Sequence, residues 1–142
     1  MKKIFILFAA VLTITLVGCT LDTSNNGDLD GNWQLMRVDT IGGGTTDTKN
    51  WQIFYAIQFR LLDISAYSYP AGGSGGFIFH FDYTADSLKL STAVTDGSEM
   101  YDLKSLELFG LTELNEHFKI QLLNSNNLVL ESKKLKLTFR KF

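Results

Sequence analysis

From Trp51 onward, large apolar side chains recur at every second position. "WQIFYAIQF" sets Trp51, Ile53, Tyr55, Ile57 and Phe59 on one face, with Gln52 and Gln58 on the other. "FIFHFDY" sets Phe77, Phe79, Phe81 and Tyr83 opposite Ile78, His80 and Asp82. Successive side chains of a strand point to opposite faces, so a period of two marks a strand with one buried side. "LKLS", "LKSLELF", "FKIQLL", "LVLES" and "LKLTFRKF" continue the pattern. Turn-forming chemistry separates these runs: Gly42-Gly43-Gly44, "AGGSGG" at 71–76, Asp96-Gly97 and "NSNN" at 124–127. The count is eight or nine strands, depending on whether residues 51–69 form one bent strand or two. Only "LTELNEH", residues 111–117, reads as a helical turn or two. Short connections favour antiparallel neighbours, and this many strands in a small domain favour closure. The expected fold is all-β: a small antiparallel β-barrel of about eight strands, with one short helical segment.

The chain begins Met1-Lys2-Lys3 and continues through fourteen uncharged residues, Ile4 to Val17. A charged start, a short apolar run and a small residue are the plan of a secretory signal. As a helix the run reaches only about 21 Å, short of the roughly 30 Å hydrocarbon core of a bilayer. Leu16-Val17-Gly18-Cys19 then resembles the lipobox of bacterial lipoproteins. That resemblance implies cleavage between Gly18 and Cys19, lipid attachment at Cys19, and residence in the bacterial cell envelope. With Thr20 rather than aspartate after the cysteine, it points to the outer membrane. Each buried CH₂ of the acyl chains adds about 0.8 kcal/mol, so several chains make a stable anchor.

The implied organisation is a signal at 1–18, a lipidated tether at 19–30 and a barrel domain at 31–142. The polar "TLDTSNNGDLD" at 20–30 has little to bury. Loss of Lys2 and Lys3 takes the formal charge from −2 to −4, without the basic excess that binding nucleic acid requires. With one cysteine in the chain, neither a disulfide within the domain nor a thiolate zinc site can form.

Gly31-Asn32-Trp33 opens the first strand and Arg140 lies in the last, "LTFRKF". This arrangement resembles the lipocalins and their calycin relatives, most of all the short bacterial lipocalin-like lipoproteins. In those a lipobox, a tether, Gly-x-Trp and a terminal strand of this kind occur in the same order. The resemblance implies that Arg140 stacks over Trp33 as a structural plug at one barrel end, a cation–π contact of about 0.5–2 kcal/mol.

The aromatic faces supply a candidate ligand cavity of Trp51, Tyr55, Phe77, Phe79, Phe81 and Tyr83, with tyrosine hydroxyls as polar anchors. The same rings can also simply fill a barrel of this size. His80 and Asp82 share one strand face, but it is the polar one, and neither His80 nor His117 sits in a metal-ligand spacing. "AGGSGG" lacks the Lys-Ser or Lys-Thr of a phosphate loop and leads into a strand. The basic C-terminal strand reads as a solvated face that guards a sheet edge.

The expectation is therefore a non-enzymatic, membrane-anchored barrel without cofactor or metal, binding a small apolar or amphipathic molecule. The alternative is an adaptor whose filled barrel meets another protein.

Overall fold

The computed structural model describes residues 23–68, 76–92 and 103–142. The lipobox with Gly18 and Cys19, most of the Gly-Ser loop at 71–76, and Asp96-Gly97 lie outside the described residues.

Among the described residues there are nine strands: β1 (Gly31–Thr40), β2 (Thr45–Asp47), β3 (Ile53–Gln58), β4 (Leu61–Ala66), β5 (Gly76–Tyr83), β6 (Ser87–Thr92), β7 (His117–Leu123), β8 (Asn127–Glu131) and β9 (Leu135–Lys141). One short helix, α1 (Leu103–Glu107), lies between β6 and β7. Every ladder is antiparallel, and from β3 to β9 each strand pairs with its successor. β1 pairs with β3 on one side and with β9 on the other, so eight strands close a barrel. The short β2 pairs with β1 at Arg37–Asp39, beyond the stretch that β3 covers. Of the run from Trp51 to Tyr69, the described residues 51–68 form two strands joined at Phe59-Arg60, where Phe59 takes φ 54° and stands exposed instead of continuing the inner face.

The inner faces make one core. Trp33 and Leu35 of β1, Ile53, Tyr55 and Ile57 of β3, Leu62 and Ile64 of β4, and Phe79 and Phe81 of β5 belong to it. Leu88 and Leu90, Phe118, Leu128 and Leu130, and Leu137 and Phe139 complete the ring. Each such side chain contributes about 1.5–3 kcal/mol on burial, and the period of two delivers them all to the same side.

Three expectations are corrected. The helix forms at 103–107, while 111–116 contains no helix. In that segment the Glu116 carboxylate accepts the backbone N–H groups of Thr112 and Glu113, an irregular turn closed by a side chain. The buried Leu106 and Phe109 are three residues apart, a helical interval that the alternating reading of "LKSLELF" concealed. β9 is not an edge strand, because β1 and β8 flank it. The 19–30 tether ends early, since the chain is folded from Ser24. Ser24 Oγ donates to Asp30 Oδ1 at 2.6 Å and accepts Phe59 N–H at 2.7 Å, while Asn26 Nδ2 donates to Phe59 O at 2.7 Å.

Candidate functional site

The barrel has two unlike ends. At the first lie the start of β1, the β3–β4, β5–β6 and β7–β8 turns, and the end of β9. Here Gly27–Leu29 forms a 3₁₀ turn beneath Trp33, whose indole Nε1 donates to Leu29 O at 2.8 Å. The cation over the indole is Lys141, with Nζ 4.7 Å from the ring centroid and donating to Asp28 O at 2.8 Å.

Arg140 does not stack on Trp33, which corrects the expected plug. The register explains why. Trp33 stands opposite Lys141, and Gln34 opposite Arg140, so Trp33 and Lys141 share the inner face while Arg140 goes outward. Arg140 instead donates from Nε and Nη2 to Gln34 Oε1, at 3.2 and 3.0 Å. Gly31 completes the plug. Its φ of 128° is a conformation that residues with a side chain rarely adopt, and a Cβ there would also push the flexible end of Lys141, 2.6 Å away at Cε, off its present course.

The opposite end carries the β4–β5 and β8–β9 connections, the long connection from β6 to β7, and the Ile41–Gly44 loop. Leu106 of α1, Phe109 and Leu111 pack down into it and are buried. The Tyr55 hydroxyl donates to Phe109 O at 2.6 Å, and the Phe77 and Phe109 rings meet edge-on at 5.1 Å. Burial, and secondarily the Glu116 carboxylate, push the Tyr55 hydroxyl far above its ordinary value, so it stays a neutral donor. Its proton is committed to Phe109 and does not serve as a free anchor.

The six candidate cavity residues thus divide. Tyr55 and Phe79 expose nothing and Phe81 almost nothing, so these three side chains are buried in the core and do not stand open to solvent. Wherever water could reach a cavity wall, the lining side chains would retain accessible surface. Trp51 and Phe77 are half-buried at the α1 end, packed against the core. Tyr83 is half-buried at the Trp33 end, beside Thr23, Asn26, Phe59 and Arg60. His80 and His117 are exposed, and Asp82 pairs with Arg60 at 3.0 Å. Among the described residues no group of three His, Cys, Asp or Glu side chains could hold a metal.

Sequence reading missed the lysine over the indole, although counting in twos from both ends of the β1–β9 ladder would have exposed it. It also missed Gln34, a buried amide on an outward-facing position.

Comparison with known proteins agrees with this geometry. None of the curated proteins matches the chain. A lipocalin-like protein of Bacteroides uniformis ATCC 8492 superposes with a TM-score of 0.66 at 25% identity, over 82% of this chain and 100% of that one. An uncharacterized protein of Bacteroides eggerthii DSM 20697 shares the fold, with a TM-score of 0.64 at 20% identity over 80% and 98% of the two chains. The family model of the lipocalin-like domain matches residues 13–142. From the closed barrel, its Gly-x-Trp plug and this match over nearly the whole chain, the protein belongs to the lipocalin-like domain family.

Proposed function

We propose that this protein is a non-enzymatic carrier or sensor of a small amphipathic molecule, held to the outer membrane through lipidated Cys19. The observation that carries the reading is the asymmetry of the barrel. One end is sealed by Trp33 and Lys141, while at the other the aromatic rings of Trp51 and Phe77 remain half-buried. A ligand of this kind sits at the mouth and lays its apolar part on those two rings, because the Tyr55–Phe79–Phe81 layer beneath is buried in the core. The early end of the tether supports an anchor that keeps the domain near the bilayer, with Thr20 to Thr23 between the lipidated cysteine and Ser24. The sealed end then faces the membrane and the mouth faces away.

The two tryptophans make the test direct, since Trp33 lies in the plug and Trp51 at the mouth. Full chain purified in detergent, carrying Trp33→Phe so that Trp51 alone reports, is titrated with lauric acid and with 1-anilinonaphthalene-8-sulfonate. A saturable change in Trp51 emission is the expected result, and loss of that change in Phe77→Ala locates the ligand. Intact mass of the same preparation reads the anchor: cleavage before Cys19 with an added acyl mass, absent in Cys19→Ala.

The buried layer of Tyr55, Phe79 and Phe81 favours one alternative, an adaptor that works through protein contact. No saturable Trp51 response and no co-purifying small molecule would select it.

A further inference from the structure

The outside of this barrel carries a feature that a solvated sheet face does not need. On the outward faces of β1 and β3, Gln34 is only 5% exposed and Phe54 only 9%. Gln34 lies under the Lys49 backbone, donating from Nε2 to Lys49 O at 3.0 Å, and accepts both hydrogen bonds from Arg140. Phe54 is flanked edge-on by Tyr67, with ring centroids at 5.8 Å, and by Phe142 at 5.0 Å. Those two flanking rings are themselves 73% and 75% exposed. They stand beside a groove of about 570 Å³ that runs across β1, β3 and β9.

We propose that this groove binds a saccharide and prefers one that carries a carboxylate. The apolar C–H face of a sugar ring stacks on an exposed aromatic ring, and Tyr67 and Phe142 offer two such surfaces. Hydroxyls around the sugar need both donors and acceptors. The amides of Asn32, Asn50 and Gln52, all lining the groove, supply both kinds.

The charge preference comes from Arg140. Its Nε and Nη2 are fixed on the neutral Gln34 oxygen, and among the described residues no Asp or Glu forms an ion pair with it. Lys49 adds a second cation to the lining, while among the described residues no Asp or Glu side chain lines the groove. The N–H groups of Arg140 not bound to Gln34 can take a carboxylate in the forked geometry that guanidinium favours. Gln52 sits at the groove in a left-handed conformation, φ 52°, and its carbonyl accepts Tyr67 N–H at 3.2 Å. That conformation ends the 3₁₀ turn at Lys49–Trp51, and the bond ties the Tyr67 backbone to the groove wall. This site lies on the outer face of the barrel, where Asn50 and Gln52 of its wall flank Trp51 of the mouth described above.

The test titrates the ¹⁵N-labelled full chain in detergent with trigalacturonate, maltotriose and benzoate, following the Arg140 Nε–H and Gln34 side-chain amide signals. Trigalacturonate is expected to shift both saturably. Maltotriose should bind about tenfold more weakly, the scale of one lost charged hydrogen bond. Benzoate, which has a ring and a carboxylate but no hydroxyls, should bind more weakly than either. Tyr67→Ala should weaken trigalacturonate about tenfold for a lost stacking partner, with only a small drop in melting from the lost edge contact with Phe54. Arg140→Gln should erase the preference for the acidic sugar. Absence of saturable shifts with both sugars overturns the site. Benzoate binding as tightly as trigalacturonate, or undiminished binding by Tyr67→Ala, overturns the saccharide assignment.

Discussion

The two ends of the barrel are closed by different physics. At the Trp33 end, closure is polar and charged: an indole N–H on Leu29 O, a lysine over the ring, and Ser24, Asn26 and Asp30 tied to the Phe59 turn. At the α1 end apolar packing of Leu106, Phe109 and Leu111 carries more of the closure, joined by the buried Tyr55 hydroxyl on the Phe109 backbone and the buried Glu116 carboxylate on the backbone of Thr112 and Glu113. A polar seal built on the strand register is rigid and has little room to adapt. A helical flap held by side-chain packing can loosen locally without opening the barrel, which suits the end assigned here to a ligand.

Four changes break or sharpen this contrast. Trp33→Ala has the largest expected effect, about 3–5 kcal/mol, because it leaves a cavity in the core and removes the ring under Lys141. Urea denaturation should show one cooperative transition at lower midpoint. A two-step transition would mean that the ends unfold independently. Gly110→Ala comes next, at about 1–3 kcal/mol. Gly110 has φ 89°, and a Cβ there would lie 2.8 Å from a Leu137 methyl. Amide exchange should accelerate across residues 103–111 while residues 26–30 keep their protection, and equal acceleration at both ends would abolish the distinction.

Tyr55→Phe should cost about 1–2 kcal/mol, by removing the buried hydrogen bond from the hydroxyl to the Phe109 carbonyl. It also has a pH signature. In the unfolded chain Tyr55 releases its proton near 10.0, whereas the folded protein holds it to higher pH. The folded state binds the extra proton, so its contribution is complete below pH 10.0 and declines as pH rises above that value. The difference in stability between wild type and Tyr55→Phe should therefore shrink above that pH, and a constant difference would contradict the buried, neutral hydroxyl. Lys141→Met is expected to be the mildest, about 0.5–1 kcal/mol from the lost cation–π contact. Its readout is near-ultraviolet circular dichroism of Trp33, with α1 exchange unaffected.

Much of the fold was legible because strands write their faces into the sequence. In "FIFHFDY" the alternation placed Phe79 and Phe81 inside and His80 and Asp82 outside, as found. "LKSLELF" misled because five helical residues are too few to establish a period against a background of strands. The site was less legible. Gln52 and Phe54 read as the polar and apolar members of one strand, with no sign that Phe54 would be covered on the outer face by rings from Tyr67 and Phe142.

By itself, the sequence determined which side chains share a strand face, where the turns fall, and that one end would open with Gly-x-Trp. Those are local properties, set by backbone alternation and turn chemistry between near neighbours. Tertiary structure decided which cation covers Trp33, which aromatic rings are buried in the core and which remain half-buried, and that Gln34 and Arg140 would meet across 106 residues. Such choices depend on the register in which β1 meets β9. A shift of one residue in that ladder exchanges inside for outside and would have put Arg140, not Lys141, on the indole.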